Sequence, residues 1–168
     1  MPNTNFMKQL FYLLLFFLWP LNGYAQHLDT SRYVILPFNI FDYRENFPKN
    51  SIKVELNEND IIKAEKLVYK CINEYNIKQE VVFNKLHLKN PQVKREYFVI
   101  DLRKYKQQFI VVMTPKGEKV VWINFFCCQW SNWKKQLVSV KDGGNCFFNL
   151  KINLTKNKYY DLMVNGDA

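Results

Sequence analysis

A chain of 168 residues that is 48% hydrophobic and 17% aromatic can bury a real core, which excludes an intrinsically disordered protein and argues against a second domain. Its 24 Lys and Arg against 15 Asp and Glu give a net charge of +9, favouring acidic partners: anionic lipid headgroups, acidic glycans or acidic proteins. The basic residues are dispersed, in short clusters such as 103–106 and 134–135, and no nucleic-acid module is recognisable, which argues against nucleic acid.

The chain opens with an export signature. Lys8 is the only charge before an unbroken apolar run at 10–19. Pro20 and Asn22 end the run, and Gly23-Tyr24-Ala25 places small residues at the minus-three and minus-one positions of a signal-peptidase site. The run is shorter than the roughly 20 residues a bilayer span needs. The pattern predicts a cleaved signal peptide over 1–25 and an exported chain from Gln26, periplasmic or secreted, with no transmembrane segment after cleavage. Met7 is an alternative start, and no Cys follows the run to carry a lipid anchor. The competing reading is an uncleaved anchor.

Residues 26–56 mix aromatics with turn formers and read as an N-terminal arm, only partly packed, with a short strand at 33–36. A helix-plus-sheet domain follows over 57–168. Asn57 is the expected N-cap, with Asp60 completing a capping box and Leu56 and Ile61 a hydrophobic staple. Ile61, Ala64, Val68, Cys71, Ile72 and Tyr75 recur at three- and four-residue spacing, predicting one amphipathic helix of roughly five turns that stops at Asn76. Residues 77–95 sustain no period, contain Pro91 and read as a connection.

The remainder reads as strands. Residues 96–102 and 107–113 are aromatic and β-branched, and the turn at 114–118, with Gly117, leads into an answering strand at 119–127. A strand at 137–140 precedes a turn at Asp142-Gly143-Gly144-Asn145. Residues 146–154 alternate, with Cys146, Phe148, Leu150, Ile152 and Leu154 to one side, implying one buried and one wet face. A last strand covers 159–164. The expected fold class is α+β: one long helix packed on a four- to five-stranded antiparallel meander sheet. This order is similar to the cystatin-like and nuclear-transport-factor-like folds, in which a sheet wraps a helix.

Four Cys lie past the signal, allowing three complete pairings, and their spacing matches no zinc motif. Cys127 shares strand parity with Val121, Ile123 and Phe125, and Cys146 lies on the apolar side of its strand, which predicts a Cys127–Cys146 disulfide. Cys71, on the helix stripe, is expected as a buried free thiol. Cys127 and Cys128 with His87 could suggest a thiol nucleophile and base, but no Asn or Asp can be assigned to orient the His. Asp142–Asn145 is better explained as a turn than as a metal or phosphate loop, and Asn153-Leu154-Thr155 matches a glycosylation sequon. No catalytic residue, metal site or cofactor is expected.

Trp130, Trp133, Lys134 and Lys135 form the candidate partner-binding surface: indole rings that gain by leaving water, beside cations suited to an acidic partner. The competing account folds both rings back onto the sheet edge. The segments 121–124, 141–152 and 159–166 are similar to those of short exported bacterial proteins of unknown function, a resemblance spanning roughly 57–168. It implies export and a helix-plus-sheet domain, and brings no activity. The expected function is an exported, small, non-enzymatic binding module, inhibitor-like or envelope-associated, with a protein, glycan or anionic envelope surface as partner. The alternative is a small secreted hydrolase.

Overall fold

The computed structural model describes residues 29–39 and 45–166. The expected signal peptide and its cleavage point lie outside the described residues.

One helix and a six-stranded sheet make an α+β fold. The arm supplies β1 (Tyr33–Ile35) and β2 (Ile52–Lys53), followed by the helix α1 (Glu58–His87). Then come β3 (Lys106–Met113), β4 (Lys119–Phe126), β5 (Phe147–Asn153) and β6 (Lys158–Val164). Strands β3 to β6 pair in chain order and antiparallel, the expected meander. Both arm strands add to the far side of β3, β1 parallel at Gln107–Phe109 and β2 antiparallel at Val112–Met113. The count therefore exceeds the four or five expected, because an arm with little hydrophobic period still finds an open strand edge.

The helix begins as its sequence dictates. The Asn57 side chain accepts from the Asp60 amide at 2.9 Å, and the Asp60 carboxylate accepts from the Asn57 amide at 3.2 Å. Lys119 of β4 reaches the same carboxylate at 2.7 Å, tying helix start to sheet. The stripe Ile61, Ala64, Leu67, Val68, Cys71 and Ile72 is buried against Phe109, Val111, Val121, Ile123, Phe125, Phe148, Leu150 and Ile152.

The helix does not stop at Asn76; it runs 30 residues, to His87. Asn76 is polar because its amide holds the returning chain: Nδ2 donates to the Ile100 carbonyl at 2.8 Å, and Oδ1 accepts from the Ile100 amide at 2.9 Å. The same clamp explains why no strand forms at 96–102, where the chain makes two 3₁₀ turns, Arg95–Tyr97 and Leu102–Lys104.

Strand β5 keeps the expected alternation through Ile152, with Phe147, Asn149 and Lys151 part-exposed, but the second face is not wet across the whole sheet. Strands β3 and β4 are buried on both sides. Leu36 and Phe47 of the arm cover Ile110, Val112, Val120 and Trp122, and Trp133 and Val138 cover Phe126. No strand forms at 137–140; that segment lies on the sheet face. The outermost strand, β6, carries a register irregularity opposite Asn149–Lys151, with Asp161 at φ +52°.

Candidate functional site

The loop between β4 and β5 carries the four residues singled out as a contact surface, and three devices hold it. At its base, Cys127 and Cys146 form a disulfide across 19 residues, with Cα atoms 5.1 Å apart. Glycine at 143 is required beside it, since the residue sits at φ +93° and an added Cβ would fall 2.8 Å from the Phe147 ring.

Two buried amides of the sheet make the second device. Gln108 of β3 donates from Nε2 to the carbonyls of Trp133 (2.5 Å) and Gln136 (2.7 Å). Its Oε1 accepts from the Val138 amide (2.9 Å) and from Nδ2 of Asn124 (3.0 Å). Asn124 Nδ2 also donates to the Val138 carbonyl at 2.7 Å. Buried amides left unpaired would be costly, so these bonds favour one loop position over others.

The third device is Trp133 itself. It is 9% exposed, meets Phe126 edge-on at 5.7 Å, and has the ammonium groups of Lys106 and Lys134 at 5.2 and 5.4 Å from its ring centre. The loop therefore divides the expected surface. Trp133 packs on the sheet, as the competing account holds, and Lys134 lies over its ring. Trp130 is 41% exposed, and Lys134 and Lys135 are exposed. Gln108 and Asn124 escaped sequence reasoning; Asn124 stands as a polar residue between Ile123 and Phe125, whereas Gln108, preceded by Lys106 and Gln107, carries no such signal.

A second exposed feature was hidden by ending the helix early. Past Asn76, α1 carries Ile77, Val81 and, at its C-cap, Leu88, which are 60%, 68% and 86% exposed, with Val82 and Leu86 also exposed. The returning chain covers another side of this half. Phe83 packs on Phe98, His87 Nδ1 lies 3.0 Å from the Val93 carbonyl, and Glu80 pairs with Arg95. An open groove of about 550 Å³ runs there, lined by Phe83, His87, Val93, Arg95 and Val99 among others.

Titratable groups show the chemistry available. Cys127 is held in the disulfide, so it offers no thiol for the nucleophile reading, and His87 is occupied by the Val93 carbonyl. Burial pushes the Cys71 thiol up to about 11, which keeps it protonated, as a packed side chain. Cys128 is a free, half-buried thiol against the Trp133 cluster. Glu65, on the packed half of α1, has its carboxyl raised by burial, opposed by a bond from Gln107 and the charge of Arg32. The Gln107 Oε1 is buried without a hydrogen-bond partner. Among the described residues no three His, Cys, Asp or Glu group to hold a metal, and no helix is long and apolar enough to cross a membrane.

Comparison with known proteins gives no match: no family model, no curated protein and no solved structure is similar to this chain.

Proposed function

We propose that this chain is an exported, non-enzymatic binding module that meets an acidic partner at the cell envelope through the β4–β5 loop. The supporting observation is a loop pinned by a disulfide and by four hydrogen bonds to two side-chain amides of the sheet that nonetheless leaves Trp130, Lys134 and Lys135 exposed. Holding a loop rigid reduces the ordering entropy lost on binding. An exposed indole on such a loop gains by contact, and the cations steer acidic partners toward it. Export is part of the proposal and rests on the segment 1–25, with which a disulfide is compatible. A cystatin-like arrangement is likewise proposed, supported by one long helix preceding an antiparallel meander that packs across it.

The test is co-sedimentation of the protein with isolated cell envelopes. Trp130→Ala combined with Lys134→Gln and Lys135→Gln should weaken the association without shifting the unfolding midpoint. An unchanged association, or none in the unsubstituted protein, overturns the reading. For export, the intact mass of the released protein should begin at Gln26.

A further inference from the structure

We propose that the projecting half of α1 is a surface that docks on an anionic lipid bilayer. This rests on the binding-module reading for the acidic character of the partner, and it uses a different face of the molecule.

The argument starts from helical spacing. At 100° per residue, Ile77, Val81 and Leu88 fall on one side of the helix. Lys78 and Lys85 lie beside them, and Val82 and Leu86 lie beyond the lysines. All seven are exposed. Charge on this half is one-sided. Its one carboxylate, Glu80, is paired with Arg95; Glu74, just before Asn76, keeps its charge while accepting from the Tyr159 hydroxyl. Lys78 and Lys85, with Lys89 just past the helix end, are exposed, and among the described residues they form no ion pair. The free field is therefore positive.

Shape selects among acidic partners. The groove beside this half is lined by Phe83 and His87 and leaves Ile77, Val81 and Leu88 outside it. A convex ridge of one helix offers a peptide no concave seat, whereas a bilayer interface yields around a ridge. Lysine stems can lie among the apolar side chains while their ammonium groups reach lipid phosphates. A second copy fits poorly, because face-to-face pairing of this ridge would bring Lys78 and Lys85 toward their own counterparts. Each basic residue near an anionic membrane contributes about 1 kcal/mol, or about fivefold in binding.

The experiment is co-sedimentation with vesicles of phosphatidylcholine, with or without about a third phosphatidylglycerol. The unsubstituted protein should bind the anionic vesicles and not the neutral ones. Lys78→Gln and Lys85→Gln should each weaken binding about fivefold. Val81→Asp with Leu88→Asp should abolish it, while the unfolding midpoint stays near that of the unsubstituted protein. Lys116→Gln, in the β3–β4 turn at the other end of the helix, should change binding little. No binding to anionic vesicles, binding that survives Val81→Asp with Leu88→Asp, or an equal loss on Lys116→Gln overturns the proposal. So does a dimer in sedimentation equilibrium that Val81→Asp dissociates. Association with whole envelopes but not with these vesicles would overturn this inference while leaving the binding-module reading standing.

Discussion

The two halves of α1 are one continuous helix with opposite surroundings. Up to Ile72 the helix lies on the sheet, and every residue of its stripe is buried. From Ile77 onward the core residues of the sheet no longer meet it, and Val81 is as apolar as Val68 but bare. The boundary is the Asn76 clamp, where the chain returns and supplies Ile100 as the last core residue beside the stripe. Apolar character therefore does not by itself say which side of a helix is inside. The sheet's extent decides that, and the residual apolar side chains become a surface that needs a reason.

Substitutions at matched positions should show how deep this difference goes. Val68→Asp, which buries an unpaired carboxylate, should cost about 4 kcal/mol or more, whereas Val81→Asp should cost about 0.5 kcal/mol or less. Denaturant midpoints decide it, and equal tolerance would erase the distinction between the halves. The β4–β5 loop repeats the contrast with one residue type. Trp133→Ala should lower stability by about 3 kcal/mol and Trp130→Ala by about 0.5 kcal/mol or less.

The boundary itself can be probed with Asn76→Ala. Loss of both bonds to Ile100 should cost about 1.5 kcal/mol, and amide exchange should quicken around Ile100 more than around Val68. Uniform acceleration would mean that Asn76 supports the whole domain rather than marking where packing ends.

The smallest expected effect is a pH dependence confined to the packed half. Glu65 has a raised carboxyl in the folded state. Below the ordinary carboxylate range both states hold the proton. As pH rises, the unfolded chain releases it first, so this group's contribution falls as pH climbs through the folded value. Glu65→Gln should then match the original at acidic pH and gain on it toward neutrality. Parallel stability curves across that range would refute the burial of Glu65.

Much of the packed half was legible. Asn57, Asp60 and the Ile61-to-Ile72 stripe are local signals, and the alternation through Phe148, Leu150 and Ile152 marked a buried strand face. Cys127 and Cys146 were matched from strand parity alone. What escaped depends on contacts distant in sequence. Asn76 reads as a helix stop until Ile100, 24 residues later, is seen on its amide. The 137–140 segment reads as a strand until Gln108, 30 residues before Val138, takes the Val138 amide and Asn124 its carbonyl. The candidate surface was half legible for the same reason: no local rule distinguishes Trp130 from Trp133, and only Phe126 and the amide network do.

The Gln108–Asn124 pair grips the loop only by main-chain atoms: the carbonyls of Trp133, Gln136 and Val138 and the amide of Val138. Side-chain identity at 135 and 136 is therefore irrelevant to the anchorage. Those positions can be rewritten, by drift or by design, while the loop keeps its course. The sheet thus works as a frame for interchangeable text, and a library varied at 129–131, 135 and 136 on this frame should fold throughout, with Trp133 as the fixed peg, Lys134 over its ring and Asn132, at φ +59°, left in place.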